Sequence, residues 1–468
     1  MQKYYDRETE QQAIFEEMQQ CRDLETSRLI VVTGRRRIGK TELVRRSSQA
    51  SPEPFVYLFA SRVSHTVLIE NWLAEIRSVL HPEIEPRCDR LSQVIEFLLR
   101  LGRSRRINVV IDECQDLNFI EPSFWSEVQL CWDLHHKQSQ ICLMMTGSVA
   151  STMRNIFQEY SEPLYGRVDR FIHVRPFPPS VLMEILKDHR ANFSNTDLLA
   201  LYLLTGGVPW FVAELMDRNA TDLESMSRIV FRDGSKFAMD GEILLANEFR
   251  ADATVNRTLL RAIANGVTRR DELQNLIGPV SVSGYLSRLE NQFELIAQNV
   301  PVLGEDYRRV RYKLTDRYLA FWFAFILGND SLLAQNNFEA ARQDFLRRFD
   351  DFSGRALEQF FLERFRESQR FTTLGAWWDR RGNNEIDLIA QDNADNVWFF
   401  EVKRNALKYN RKALEAKVSA FVQNNPTVRK CRLYVRGLST QDMTTDVSTL
   451  LQTAELLVLP TQPTNGLR

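Results

Sequence analysis

Disulfide and zinc chemistry have almost nothing to work with in this sequence. Its 468 residues include six cysteines, Cys21, Cys88, Cys114, Cys131, Cys142 and Cys431, with no C-x-x-C pair among them, and only six histidines. That scatter excludes a disulfide scaffold or a zinc ribbon and predicts free thiols in a reducing, cytoplasmic compartment. Net charge is missing as well, because 60 Lys and Arg stand against 61 Asp and Glu. Without an overall basic field, any nucleic-acid surface has to come from local clustering. Long apolar runs are absent too: the most apolar, YLAFWFAFIL at 318–327, has about half the length needed to span a bilayer. It predicts a buried helix and no membrane partner. The opening MQKYYDRETE lacks a charged-then-apolar leader, and no internal repeat or low-complexity tract is evident.

What is present is the balance of a soluble globular protein, with 44% hydrophobic and 26% charged residues. The length suits about two to four domains. Apolar runs at Leu29–Val32, PFVYLF, INVVIDE and ICLMMTGS alternate with helical-period segments such as VLIENWLAEIRSVL. The alternation predicts an α/β core over 1–175, a largely parallel sheet with helices on its faces. Helical patterns fill 176–248, read as a helical lid. Over 249–328, three helix-like segments followed by FELIAQN and RVRYKLT predict a winged helix. A linker is expected at 329–344. Residues 345–460, with helix SGRALEQFFLERFRE, strands EIDLIAQ and NVWFFEVKR, helix ALEAKVSAFVQ and strand CRLYVRG, predict a further α/β domain.

The first candidate site is Gly34-Arg35-Arg36-Arg37-Ile38-Gly39-Lys40-Thr41, followed by Glu42. It fits G-x-x-x-x-G-K-[ST] at every fixed position and lies between a predicted strand and helix. Glycines let backbone N–H groups turn inward around phosphate oxygens, Lys40 reaches the β and γ phosphates, and the Thr41 hydroxyl ligates Mg²⁺. Lys40 and the amides already satisfy the phosphates, so Arg35, Arg36 and Arg37 are expected to face solvent or a partner. Downstream, the apolar strand Ile107–Ile111 ends in Asp112-Glu113. Asp112 there can hold the metal's water shell and Glu113 can polarise an attacking water.

Taken with YYDRETE at 4–10, TGS at 146–148, PLYGR at 163–167 and TGGVPWFV at 205–212, these residues resemble the archaeal-type ATPases, close to the STAND and AAA+ branches of the P-loop NTPases. The resemblance covers about residues 1–240. It implies ATP as the nucleotide, Asp6, Arg7 and Glu8 near the base, Ser148 as a polar sensor of the γ-phosphate, and Pro209 packed near the adenine or ribose. It also implies Arg167 as a charge-stabilising arginine, in cis or across the contacts of a nucleotide-dependent homo-oligomer; the alternative is a surface salt bridge.

In the winged-helix segment, SVSGYLSRLENQF is the recognition-type helix, with Ser281, Ser283, Tyr285 and Arg288 as its polar positions. Arg308, Arg309 and Arg311 fall on the wing, where basic residues suit DNA phosphates. Such modules equally serve protein docking.

The second candidate site is Glu401-Val402-Lys403. Alternation along a strand puts Glu401 and Lys403 on one face and Val402 in the core. Fourteen residues upstream, Asp387 lies in a strand that a hairpin would set beside Glu401, and Glu358 lies on the preceding helix. Converging carboxylates hold a hard cation, and a nearby lysine can orient or activate water. The pattern resembles the PD-(D/E)XK nuclease superfamily over about residues 345–440, with Ile386-Asp387 in place of the usual Pro-Asp. The resemblance implies Asp387 and Glu401 as metal ligands, Lys403 as the catalytic lysine and Glu358 as the helix acid. Between 401 and 436, ten Lys and Arg face two acids, Glu401 and Glu415, an excess that suits a phosphate-backbone groove or a solvated helix face. Trp377, Trp378 and Trp398 are read as core residues or as base-stacking platforms. Together the two sites point to an ATPase, with ATP and Mg²⁺, that controls a nuclease-like domain acting on DNA. The rival reading is a nucleotide-controlled DNA- or protein-binding switch without cleavage.

Overall fold

The computed structural model describes residues 3–83, 86–248, 253–303, 310–379 and 384–458. Contacts divide the chain into two units, one comprising Tyr4–Pro176 with Gln292–Glu294, the other Phe177–Asn291 and Leu295–Arg468 with the first three residues.

The first unit is a parallel sheet of β1 (Arg28–Thr33), β2 (Phe55–Phe59), β3 (Ile107–Asp112), β4 (Ile141–Gly147) and β5 (Arg170–His173), in the order β2-β3-β4-β1-β5. All four pairings are parallel, so all five C-terminal ends share one edge. The inner strands β3 and β4 are buried along their whole length, as continuous apolar runs covered on both faces should be. One apolar core packs the helices His65–Leu80 and Leu91–Leu101 against the sheet, and a second packs Ile14 and Met18 of the first helix with Leu43 and Val44. The short β5 was not apparent from the sequence, because only Ile172 of its four residues is buried.

The second unit begins with five helices between Pro179 and Glu248. Helices Ala253–Ala264, Arg270–Ile277 and Val282–Ser287 follow, then the antiparallel pair β6 (Ile296–Asn299) and β7 (Arg311–Leu314). Arg308 and Arg309 lie outside the described residues. YLAFWFAFIL is buried and helical, with Tyr318, Phe321, Phe323 and Phe325 fully enclosed. Where a linker was expected at 329–344, the chain is mostly helical: the helix predicted from Ser353 starts at Phe338 and runs 30 residues to Glu367. Asn337 caps it, and Ala341 and Phe345 continue its buried stripe.

The C-terminal sheet contains β8 (Thr373–Trp378), β9 (Glu385–Gln391), β10 (Asn396–Val402), β11 (Arg432–Leu438) and β12 (Glu455–Leu457), in the order β12-β11-β10-β9-β8. β10 and β11 are parallel, which requires the crossover helix Arg411–Asn424 between them. The three tryptophans are buried, Trp398 stacking on Tyr434 at 5.4 Å; they are core residues and do not form an exposed stacking platform.

The Gly206-Gly207 turn is a tight spot of this unit. Gly207 takes φ +78°, and a Cβ there would meet the Phe177 carbonyl oxygen at 2.3 Å. Gly207→Ala is expected to cost at least about 1–3 kcal/mol. Gly284→Ala, in a helix with open space around it, should be neutral or gain up to about 1 kcal/mol. Thermal melts of the two variants against wild type test the contrast.

Candidate functional site

β1 leads straight into the loop because Gly34 takes φ +150° and Gly39 φ +93°. A Cβ on Gly34 would lie 2.5 Å from the Val174 carbonyl oxygen. Gly39 precedes the helix Lys40–Gln49, whose unbonded N–H groups make its start a ready anion site. The buried Lys40 ammonium donates to the carbonyls of Gly34 at 2.9 Å and Arg35 at 3.2 Å. Burial pushes its pKa down, against the pull of Glu113 and Asp112. In the loop, Ile38 is buried, Arg36 exposed, and Arg35 and Arg37 partly buried, Arg37 at φ +65°.

Asp112, at the tip of β3, is the hub of this edge. Its Oδ2 accepts from the hydroxyls of Thr41 at 2.7 Å and Tyr57 at 2.5 Å. Its Oδ1 accepts from the Thr146 hydroxyl and from the Glu113 N–H at 3.0 Å. Burial, reinforced by the bond to Asp112, raises the Tyr57 pKa. Glu113 sits at φ +54°, and its Oε2 accepts from Ser148 Oγ at 2.7 Å and from Gln115. The Thr41 hydroxyl beside the Asp112 carboxylate is a hard-oxygen pair that fits Mg²⁺. Tyr57, Thr146, Gln115 and His173, whose Nδ1 lies 3.2 Å from Thr33 Oγ1, were missed by sequence reasoning. Only Thr146, the polar residue near the end of the apolar run Ile141–Gly147, carried a signal in the sequence.

The other sequence-predicted residues are more dispersed. Arg7 is buried and reaches the Arg175 carbonyl at 2.8 Å, the Ile38 carbonyl at 3.4 Å and Asp6 at 2.9 Å. It straps the phosphate loop to the end of β5. Glu8 is exposed at the first turn of its helix. Glu42 pairs along its own helix with Arg45 at 2.8 Å and with Arg46. Pro209 belongs to the second unit, where it opens the helix Pro209–Met216. Arg167 corrects one expectation. β5 pairs with β1 from Arg170 opposite Ile30, so Arg167 lies beyond the N-terminal edge of the sheet, opposite to the loop. There it forms a forked pair with Asp133 at 2.8 and 2.7 Å, out of reach of the loop in its own subunit.

In the C-terminal sheet β9 and β10 pair with Phe399 opposite Ile389 and Phe400 opposite Leu388. Continuing that register by one residue sets Asp387 opposite Glu401. Lys403 Nζ spans the two, 2.7 Å from Glu401 Oε1 and 3.9 Å from Asp387 Oδ2. Asp387 Oδ2 also accepts from the Val402 N–H at 2.7 Å. A lysine not singled out from the sequence, Lys417 of the crossover helix, holds Glu401 Oε2 at 2.7 Å. Burial raises the Asp387 pKa, helped by the charge of Glu401. For Glu401 burial acts the same way, but the hydrogen bonds from Lys403 and Lys417 prevail and lower it. Glu358 is raised by burial and then by Asp387 and Glu385.

The three-carboxylate cage expected from Glu358, Asp387 and Glu401 is not assembled: among the described residues no three acidic, His or Cys side chains converge as a metal cluster. Two ammoniums already neutralise Glu401, and the carboxylates that act on Glu358 are Asp387 and Glu385. The remaining pair still fits Mg²⁺, which needs only one or two carboxylates when waters and phosphates complete its shell.

The basic run is also partly spent internally. Arg404 pairs with Asp350 at 2.6 Å, Arg436 with Asp442 at 2.7 Å, and Arg411 with Glu415 at 2.7 Å. Lys408, Lys412, Arg429, Lys430 and Arg432 are exposed. Arg311, expected to contact phosphates, instead pairs with Glu385 at 2.8 Å and lies 4.4 Å over the Trp378 ring.

The first unit, a five-stranded parallel sheet with this loop after β1 and an acid at the tip of β3, is a P-loop NTPase core. Residues 4–215 match a protein-family model described as an ATPase domain predominantly from Archaea, which supports an ATPase domain that binds nucleotide. Residues 322–414 match a second family, described as "Archaea bacterial proteins of unknown function". The chain is 26% identical over 414 residues to the uncharacterized protein MJECL04 of Methanocaldococcus jannaschii, covering 86% of this chain and 88% of the relative. Among solved structures, the Walker-type ATPase PABY2304 of Pyrococcus abyssi is similar at TM-score 0.53 and 21% identity, over 69% of this chain and 96% of that one. The Aeropyrum pernix ORC2 protein gives TM-score 0.47 and 14% identity, over 70% and 96%. Among the described residues, no helix is long and apolar enough to cross a membrane.

A carboxyl whose folded pKa exceeds its unfolded value lets the native state keep a proton that the unfolded chain has released, so it weakens the fold as pH climbs past the unfolded pKa. Glu358→Gln is therefore expected to melt close to wild type near about pH 4 and to gain a few degrees on it by about pH 8. A gap that stays constant across that range would contradict the raised Glu358.

Proposed function

We propose that this protein is a regulatory ATPase whose nucleotide state controls a Mg²⁺-dependent, nuclease-like C-terminal domain acting on DNA. In the first unit, Lys40 and the loop amides from Gly34 to Thr41 hold the phosphates, Thr41 and Asp112 take the metal side, and Glu113 polarises the attacking water. Ser148 senses the γ-phosphate through its bond to Glu113. Mg²⁺, when bound, draws charge from the phosphate oxygens. Asp6, Arg7 and Glu8 shape the entrance to the loop. For Arg167 two roles remain, one across a subunit contact and the surface salt bridge that it makes with Asp133.

The observation that carries the C-terminal half is the meeting of Asp387, Glu401 and Lys403 at the ends of adjacent strands. Two carboxylates supply hard-oxygen ligands and the lysine can orient or deprotonate water. Support for a nuclease-like core also comes from the element order, a helix, an antiparallel β8-β9-β10 meander, a crossover helix and a parallel β11. The helices between 253 and 287 with the β6-β7 pair support a winged helix, which serves as coupler or DNA reader. A specific observation favours the second reading, a nucleotide-controlled binding switch that does not cut. Both oxygens of Glu401 are already occupied by lysines.

A cleavage assay on duplex DNA, single-stranded DNA and RNA with Mn²⁺ or Mg²⁺ separates the two readings. Wild type is expected to cut DNA in a nucleotide-dependent way, Lys403→Ala to lose at least about a hundredfold, and Lys40→Ala to lose the response to ATP. If every substrate survives and Asp387→Ala leaves binding unchanged, the switch reading stands. ATP hydrolysis per subunit should rise with protein concentration if Arg167 acts in trans, and Arg167→Ala should flatten that rise; a flat dependence in wild type removes the role.

A further inference from the structure

We propose that Lys417 is a built-in cation of the C-terminal site, which a divalent metal has to displace from Glu401. The inference rests on the reading of Asp387, Glu401 and Lys403 as a cation site and concerns how that site is kept closed. Each oxygen of Glu401 carries one ammonium, Lys403 on Oε1 and Lys417 on Oε2, both at 2.7 Å. Glu401 thus faces two lysines, and Asp387 shares one of them. Such a site has little net attraction for a further cation, and the lone pairs a hard metal needs are already engaged.

The two lysines are not equivalent. Lys403 is fixed by its backbone, whose N–H donates to the Leu438 carbonyl at 2.8 Å, and its ammonium is shared between Glu401 and Asp387. Lys417 pairs with Glu401 and arrives on a four-carbon stem from the helix Arg411–Asn424. That helix cannot shift easily, because Leu414, Val418, Phe421 and Val422 anchor it in the core at 0–1% exposure. Release therefore means swinging one side chain, and Lys417 is the one whose departure frees a Glu401 oxygen without disturbing the strand. The ligand class that would draw an ammonium away is an anionic phosphate. Cation loading is thereby linked to the arrival of a nucleic-acid backbone.

Mn²⁺ titration of the nucleotide-free full-length protein by isothermal calorimetry tests this, with Glu401→Gln as the blank for ions bound elsewhere. Lys417→Met keeps the apolar stem and removes the charge. It should bind the Glu401-dependent ion about tenfold more tightly than wild type, or make it detectable where wild type shows none. Lys417→Arg keeps the charge and should stay near wild type, and matching melts will show that both variants fold. Equal affinity in Lys417→Met and wild type overturns the inference and leaves the cation site standing. Weaker binding in Lys417→Met also overturns it, since Lys417 would then be holding Glu401 in place. If neither wild type nor Lys417→Met binds a Glu401-dependent ion, both the inference and the reading beneath it fail.

Discussion

A carboxylate taken out of water must be met by hydrogen bonds or positive charge, and this chain places two such carboxylates at the ends of inner strands. Asp112 is met by three hydroxyls and an amide, Glu401 by two ammoniums. The difference in partner decides what each site can accept. The partners of Asp112 bring no formal positive charge, which is why it is proposed to hold the metal side of the phosphate loop. Two ammoniums offset the charge of Glu401, which is the basis of the proposal that a lysine has to leave before a cation binds there.

Within the second unit, arginines tie the elements that would have to move. Arg317 donates to the Gly206 carbonyl at 2.6 Å and the Phe177 carbonyl at 3.2 Å, lies 4.5 Å over the Tyr202 ring and pairs with Glu363. Glu363 sits on the same long helix as Glu358, so the Gly-Gly turn and the carboxylate end of that helix share one anchor. Arg311 does the same for β7 and β9 through Glu385, whose charge in turn bears on Glu358. Both pairs are partly exposed, Arg311–Glu385 at 24% and 40% and Arg317–Glu363 at 16% and 17% of their side-chain surfaces, so each contributes only modestly to stability.

Much of this was legible in the sequence where the chemistry is local. The phosphate loop is contiguous, and the spacing of its glycines, Lys40 and Thr41 was enough to place it between a strand and a helix. The acid tip of β3 follows an unbroken apolar run, and the alternation Glu401-Val402-Lys403 fixes which side chains share a face. Contacts between distant segments were not legible. Lys417 lies sixteen residues beyond Glu401 on a helix whose phase on the sheet is set by its buried stripe, and nothing in a count of basic residues tells it from Lys412. Arg167 read as a catalytic arginine from its motif, yet the strand register carries it to the wrong edge of the sheet. The linker at 329–344 was misjudged because its charged residues hide the stripe of Ala341 and Phe345 that joins it to the long helix.

The claim on which the functional account turns is that Asp387 and Glu401 form a cation site masked by lysine. Anomalous diffraction from crystals soaked in Mn²⁺ with a short DNA duplex tests it most directly. The expected map has a peak shared by the two carboxylates, with the Lys417 ammonium withdrawn from Glu401. A map with no peak there, and with both lysines still on Glu401 while the duplex is bound, would contradict it.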